Sequence, residues 1–109
     1  MKMKALHLIQ NNPGLRPKPI ATGSQIYESG FWWLPIKQAK SFIGENIFFY
    51  DNQLAESFFG GVIKDCWIQQ YNGQDRVVFK FEALASHKGK RPANPEGWDD
   101  GNWVINFEE

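Results

Sequence analysis

Strand-like patterns dominate the order of apolar and polar positions in this chain. From Arg76 to Ala83, the apolar Val77, Phe79, Phe81 and Ala83 are interleaved with Arg76, Lys80 and Glu82, a spacing of two that buries one strand face and wets the other. Cys66-Trp67-Ile68-Gln69-Gln70 leads into this strand through Tyr71-Asn72-Gly73-Gln74, and Asn-Gly supplies the positive φ that a tight hairpin turn needs. Ile47 to Tyr50 and Phe58 to Ile63 are apolar on both faces, the pattern of central strands in a closed or covered sheet. Within the second of these, Gly60-Gly61 predicts a bulge or a close backbone approach. Lys4-Ala5-Leu6-His7-Leu8-Ile9 is an apolar opening run, and Trp103-Val104-Ile105-Asn106-Phe107 alternates and is expected to close the sheet.

Helical spacing is confined to one stretch. Pro35 suits a first helical position, Ile36, Ala39, Phe42 and Ile43 fall on one face, and Gly44 marks the stop, which predicts a helix of roughly eight residues. Pro13, Gly14, Pro17 and Pro19 exclude a regular helix between Asn11 and Pro19. From His87 to Asn102 the chain holds Gly89, Pro92, Pro95, Gly97 and Gly101 without any period, as expected of a long surface loop.

The 109 residues fit one domain spanning residues 1–109. A 42% hydrophobic content with nine Phe, five Trp and three Tyr supplies the apolar area for its core. Twelve basic and twelve acidic side chains cancel, which excludes a whole-molecule field holding a long phosphate backbone; any nucleic-acid contact must be local. Cys66 has no cysteine partner, and with only His7 and His87 beside it builds no zinc site, so neither metal nor cofactor is expected. A lone cysteine fits a reducing compartment, and the apolar run after Lys2 and Lys4 is too short for a signal peptide or a span. The expectation is a cytoplasmic protein with no membrane association. Phosphate-loop and nucleophile-elbow spacings are absent, and Asp99-Asp100 in a Gly-flanked loop reads as a turn former.

The segment Ile20-Ala-Thr-Gly-Ser-Gln-Ile-Tyr-Glu-Ser-Gly30 follows the opening run and precedes Gly44-Glu45-Asn46-Ile47-Phe48-Phe49-Tyr50 and Gly60-Gly61-Val62-Ile63. This order, from residue 4 to residue 65, resembles the ASCH group of PUA-like β-barrels, whose members open with a short strand. They then carry a G-x-K-x-x-E-x-R segment, a "GD-apolar-Y" strand and a "GxI" strand. The resemblance implies a mainly β (α+β) fold: a small antiparallel barrel of about five or six strands with one short helix. Its mouth would take RNA or a modified nucleobase. Gln25 stands where the group has Lys and Gly30 where it has Arg. Gln25 neither takes nor gives a proton, so the resemblance leans towards a binding module without catalytic residues; a small amidohydrolase stays open as a further alternative, in which Lys37 or Lys40 would replace the missing Lys. A different class of reading is a protein-interaction subunit, such as a phage or defence accessory protein, which a neutral net charge also suits.

Several residues carry the candidate site. Glu28 can accept hydrogen bonds from an amino-bearing base, with Gln25 beside it on the polar edge; its ordinary alternative is a solvated surface Glu. Trp32 and Trp33 are adjacent, so in extended chain they point to opposite faces, one towards the core and one available for stacking. Tyr50, ending the Ile47 strand, would stack from the same mouth or sit at the core edge. Lys88, Lys90 and Arg91 gather three positive charges on a Gly-containing loop suited to phosphate. Trp98, in the same 87–102 loop, is either pinned to the barrel or displayed to a protein partner.

Overall fold

In the computed structural model, which describes residues 3–10, 16–52, 55–90 and 103–108, the alternating stretches pair into one sheet. In chain order the strands are β1 (Met3–Ile9), β2 (Lys18–Pro19), β3 (Ile26–Trp32), β4 (Asn46–Tyr50), β5 (Phe59–Tyr71), β6 (Gln74–Ala83) and β7 (Trp103–Glu108). Across the sheet they lie in the order β2-β3-β6-β5-β4-β1-β7. The fold is therefore mainly β. Among the described residues no pairing joins β2 to β7, so the sheet is open, and β7 ends it beside β1 instead of sealing it. The sheet is also mixed where an antiparallel one was expected: β1 runs parallel to β4, with Leu6 opposite Ile47 and Leu8 opposite Phe49. A parallel pair needs a crossover of a dozen or more residues. The stretch carrying β2, β3 and the helix α1 (Ile36–Lys40) provides it.

The longest pairing is β5 with β6, joined at Asn72 (φ 52°) and Gly73 (φ 77°). Two successive positive φ values make the turn that matches the strand twist, as Asn-Gly predicts. β5 is one strand of 13 residues where the sequence pattern suggests two segments. The polar pair Lys64-Asp65 does not break it, because the register shifts between Ile63 and Asp65. One extra residue there reverses the inward parity, and Ile63 and Cys66, three apart, both reach the core.

That core lies between the sheet and α1 and includes Leu6, Leu8, Ala39, Phe42, Phe49 and Phe81. The helix is shorter than expected, five residues. Pro35 precedes it in extended conformation, its carbonyl accepting the Ala39 N–H at 2.9 Å. Regular winding ends at Lys40, so the 3.6-residue spacing does not carry to Ile43, which is 42% exposed despite its place in the apolar pattern. Gly44, expected as the helix stop, lies four residues past the end of α1, whose C-cap is Ser41, and at φ +88° it closes the turn that follows the helix.

Gly60 and Gly61 mark a close approach of three segments. A β-carbon on Gly61 would lie 1.9 Å from the Glu82 carbonyl oxygen, and one on Gly60 would lie 2.4 Å from the Ile47 carbonyl oxygen. Both obstacles are backbone, which cannot swing aside as a side chain does. Gly61→Ala is expected to cost more than the ~1–3 kcal/mol of ordinary overpacking, read as a lowered urea midpoint at unchanged slope; a midpoint near that of the parent would contradict the packing described.

Candidate functional site

Glu28 occupies the middle of β3, opposite Lys18 on β2 and Lys80 on β6. Its neighbour Ser29 is buried and Tyr27 packs on the core, so alternation turns Glu28 to the outer face, where it is exposed. The β3–β6 register then shifts between Ser29 and Trp32. At this irregularity Gly30 lies over Val78, close enough that an added β-carbon would sit 3.2 Å from the Val78 Cγ2 methyl. With no side chain at position 30, the outer face holds a cavity of about 200 Å³. Glu28, Gly30 and Phe31 from β3 line it with Val78 from β6, Gln69 from β5, and Arg16, Lys18 and Pro19.

The walls of this cavity are fixed unequally. The Phe31 ring is stacked on Tyr71, with centroids 4.3 Å apart and planes 15° from parallel. Arg16 is ion-paired with Asp51, and its guanidinium lies 4.2 Å over the Phe58 ring. Lys18 and Glu28 enter no ion pair among the described residues. The cavity therefore offers an uncommitted carboxylate, an uncommitted ammonium, an amide and an aromatic ring within one small concavity.

Of the other residues singled out from sequence, Gln25 is exposed in the turn before β3, its carbonyl accepting the Ala83 N–H at 2.8 Å, and does not line the cavity. The two tryptophans diverge as their parity predicts. Trp32 is 8% exposed and donates its indole N–H to Ser29 Oγ at 3.0 Å, whereas Trp33 is 63% exposed with the Arg76 guanidinium 3.7 Å over its ring. Neither faces the Glu28 cavity. Tyr50 corrects the expectation of a residue at a binding mouth: it is fully buried, because β4 is an interior strand with both faces covered. Lys88 and Lys90 are exposed. Lys88 Nζ lies 5.8 Å from the Phe59 centroid and the Lys90 N–H donates to Ser57 Oγ; neither lines the cavity. Arg91 and Trp98 lie outside the described residues.

Tyr50 instead belongs to a buried polar arrangement that its apolar surroundings conceal in the sequence. Its hydroxyl meets His7 Nδ1 at 2.7 Å. The Phe48 ring is stacked between His7, at 4.9 Å, and His87, at 4.8 Å. His87 Nε2 contacts Asn46 Oδ1 at 2.9 Å, while His7 Nε2 is buried without a partner. Burial holds the His7 imidazolium pKa down to about 4, and burial followed by the Lys90 charge lowers that of His87. Cys66 is buried and desolvation raises its thiol pKa, which suits inert packing. Among the described residues no group of His, Cys, Asp and Glu side chains is arranged to hold a metal ion, and no helix is long and apolar enough to cross a membrane.

Comparison with protein families, curated proteins and solved structures finds no match to the chain.

The buried His7 makes the fold acid-sensitive in a stated window. Its folded pKa of about 4 lies below the ordinary 6.5, so the unfolded chain binds the proton more readily. Stability is full above pH 6.5 and is lost as pH falls towards 4, by roughly 3 kcal/mol for this group alone. Urea melts between pH 7 and pH 4 should show the decline, and His7→Gln should remove most of it; an unchanged slope in that variant would place the acid sensitivity elsewhere.

Proposed function

We propose that the chain is a small ASCH-related, PUA-like binding module whose site is the Glu28 cavity and whose ligand is an amino-bearing nucleobase of RNA or a modified nucleoside. The observation that carries this reading is the uncommitted Glu28 carboxylate in a cavity of about 200 Å³ beside the Phe31 ring. An ionised carboxylate only accepts hydrogen bonds, so it selects a ligand edge that donates, such as the exocyclic amino group of cytosine or adenine. Gln69, whose amide both donates and accepts, matches the mixed edge of such a base. Phe31, already braced by Tyr71, presents an aromatic ring of the kind that contributes about 1–3 kcal/mol when a base stacks on it. The volume is below the ~300 Å³ at which drug-sized sites begin, which suits one ring system in place of an extended ligand.

Lys18 and Lys80, on the strands flanking Glu28, are the cations positioned to meet a phosphate, so any RNA contact is short. On this reading the outer face of the open sheet stands in for the wall of the group's barrel, and Gly30, in place of the group's Arg, leaves room for the base. Gln25 lies off the cavity and contributes no proton chemistry, which favours binding over amide hydrolysis.

Titrations of cytidine and uridine, and of adenosine and inosine, test the reading directly. The amino-bearing member of each pair should bind at least roughly tenfold tighter, as a charge-assisted hydrogen bond of ~1.5–3 kcal/mol requires. Glu28→Gln should erase that preference without lowering the melting temperature, and Phe31→Ala should weaken all nucleosides together. Equal binding within each pair, or loss of folding in Glu28→Gln, would overturn the assignment.

A further inference from the structure

A second concavity, of about 410 Å³, opens where β3 ends and β6, still paired with β5, runs on to the hairpin tip. Its apolar walls are Trp33, Leu34, Pro35 and Ile36, leading into α1, facing Ile68 and Val77 of the hairpin. Trp33 and Ile68 are 63% and 47% exposed, the first and third most exposed of the large described hydrophobic residues. Unlike the Glu28 cavity, this groove falls within the volume range of small-molecule sites.

Its charged lining is one cation, Arg76, and one anion, Asp75. Arg76 lines the groove with its guanidinium stacked on Trp33, 3.7 Å from the ring centroid. The Arg76 Nε–H is buried and has no acceptor, while Nη2 donates to the Gln74 side-chain oxygen at 2.6 Å. Asp75, the one acidic residue in the lining, is engaged by the Gln70 side-chain amide. Nε–H and Nη2–H point to the same side of a guanidinium, the fork that matches the two oxygens of a carboxylate. A carboxylate seated there would satisfy the orphaned Nε–H and replace only the neutral oxygen of Gln74, an exposed side chain.

We propose that this groove binds a small apolar monocarboxylate, its two oxygens on the Arg76 fork and its hydrocarbon body against Trp33 and Ile68. The guanidinium selects an anion, since Arg76 is the groove's only cation among the described residues and Asp75, the one anion in the lining, has its carboxylate held by the Gln70 amide. The fork selects a planar carboxylate over a lone oxyanion. The apolar walls select a body of aryl or branched aliphatic carbon. The proposal is independent of the nucleobase reading, because the two cavities share no lining residue.

Calorimetric titration with 3-phenylpropanoate and with its isosteric amide, 3-phenylpropanamide, at pH 7 tests it. The acid should bind at least roughly tenfold tighter than the amide, the difference a charge-assisted bidentate contact supplies. Arg76→Gln and Arg76→Lys should each remove that difference, the lysine variant because it keeps the charge but not the fork. Ile68→Ser should weaken acid and amide alike, and Glu28→Gln should leave both unchanged. Thermal melts confirm that each variant is folded; if Arg76→Gln is not, the acid–amide comparison in the parent and in Arg76→Lys decides. Equal affinity for acid and amide, no binding of the acid, or full retention of the difference in Arg76→Lys overturns the proposal. Tighter binding of a tetrapeptide with a free C-terminal phenylalanine, by more than roughly tenfold, also overturns it and makes the groove a peptide-terminus site.

Discussion

The close approach at Gly60 and Gly61 is the constraint on which the centre of this molecule depends. Position 61 abuts the backbone of Glu82, and position 60 abuts both the Ile47 carbonyl and, at 2.9 Å from where its β-carbon would be, the His87 side chain. Two missing side chains therefore let β4, β6 and the 3-10 turn Ala85–His87 converge on the start of β5. The Leu84 N–H donates to the Gly60 carbonyl at 3.0 Å, which brings the turn onto the sheet. His87 consequently stacks on Phe48 and reaches Asn46. The stacking of His87 on Phe48 is thus a product of glycine placement as much as of the histidine itself.

What the sequence made legible was mostly parity and punctuation. Asn72-Gly73 specified its turn by backbone conformation alone, and the adjacency of Trp32 and Trp33 guaranteed opposite faces once the chain was extended. Period-two patterning says which face a side chain takes but not which strand lies alongside or in which direction. Hence the parallel pairing of β1 with β4 left no trace in either segment. The same limit hid the bulge at Lys64-Asp65: two polar residues between apolar runs look like a boundary, and only the register with β6 shows that an extra residue keeps Ile63 and Cys66 on one face. Tyr50 failed for the converse reason. A tyrosine suits both a mouth and a core edge, and the presence of a buried histidine partner 43 positions away settled its place.

The candidate site was legible at one position and opaque at the rest. Glu28 stood out because of the segment it belongs to, whereas Gln69, Val78 and Lys18 join it only through strand pairing. Phe31 carried a readable signal, an aromatic directly after a glycine in a strand, a place where backbone approach is close and a ring can lie over it. Gln25, which sequence spacing sets three residues before Glu28, is separated from the cavity because it still belongs to the turn that ends at Ile26, where the Ser24 hydroxyl accepts the Ile26 N–H at 2.9 Å.

A single irregularity in β3 underlies both concavities. Up to Ser29 the strand pairs in register with β6, and its last residue, Trp32, pairs with Val77 one step out of that register. The slip sets Gly30 over Val78 and turns Phe31 towards Tyr71, forming one cavity on the outer face. It also fixes the parity on which Trp32 enters the core and Trp33 leaves it, so that Trp33 meets Arg76 at the far end of β6. Had β3 remained regular, Gly30 and Trp32 would share a face, and Trp32 could not be buried while Gly30 lay open to the outer side. The two sites are distinct in lining and chemistry, yet one displaced backbone step, permitted by one glycine, creates the room for both.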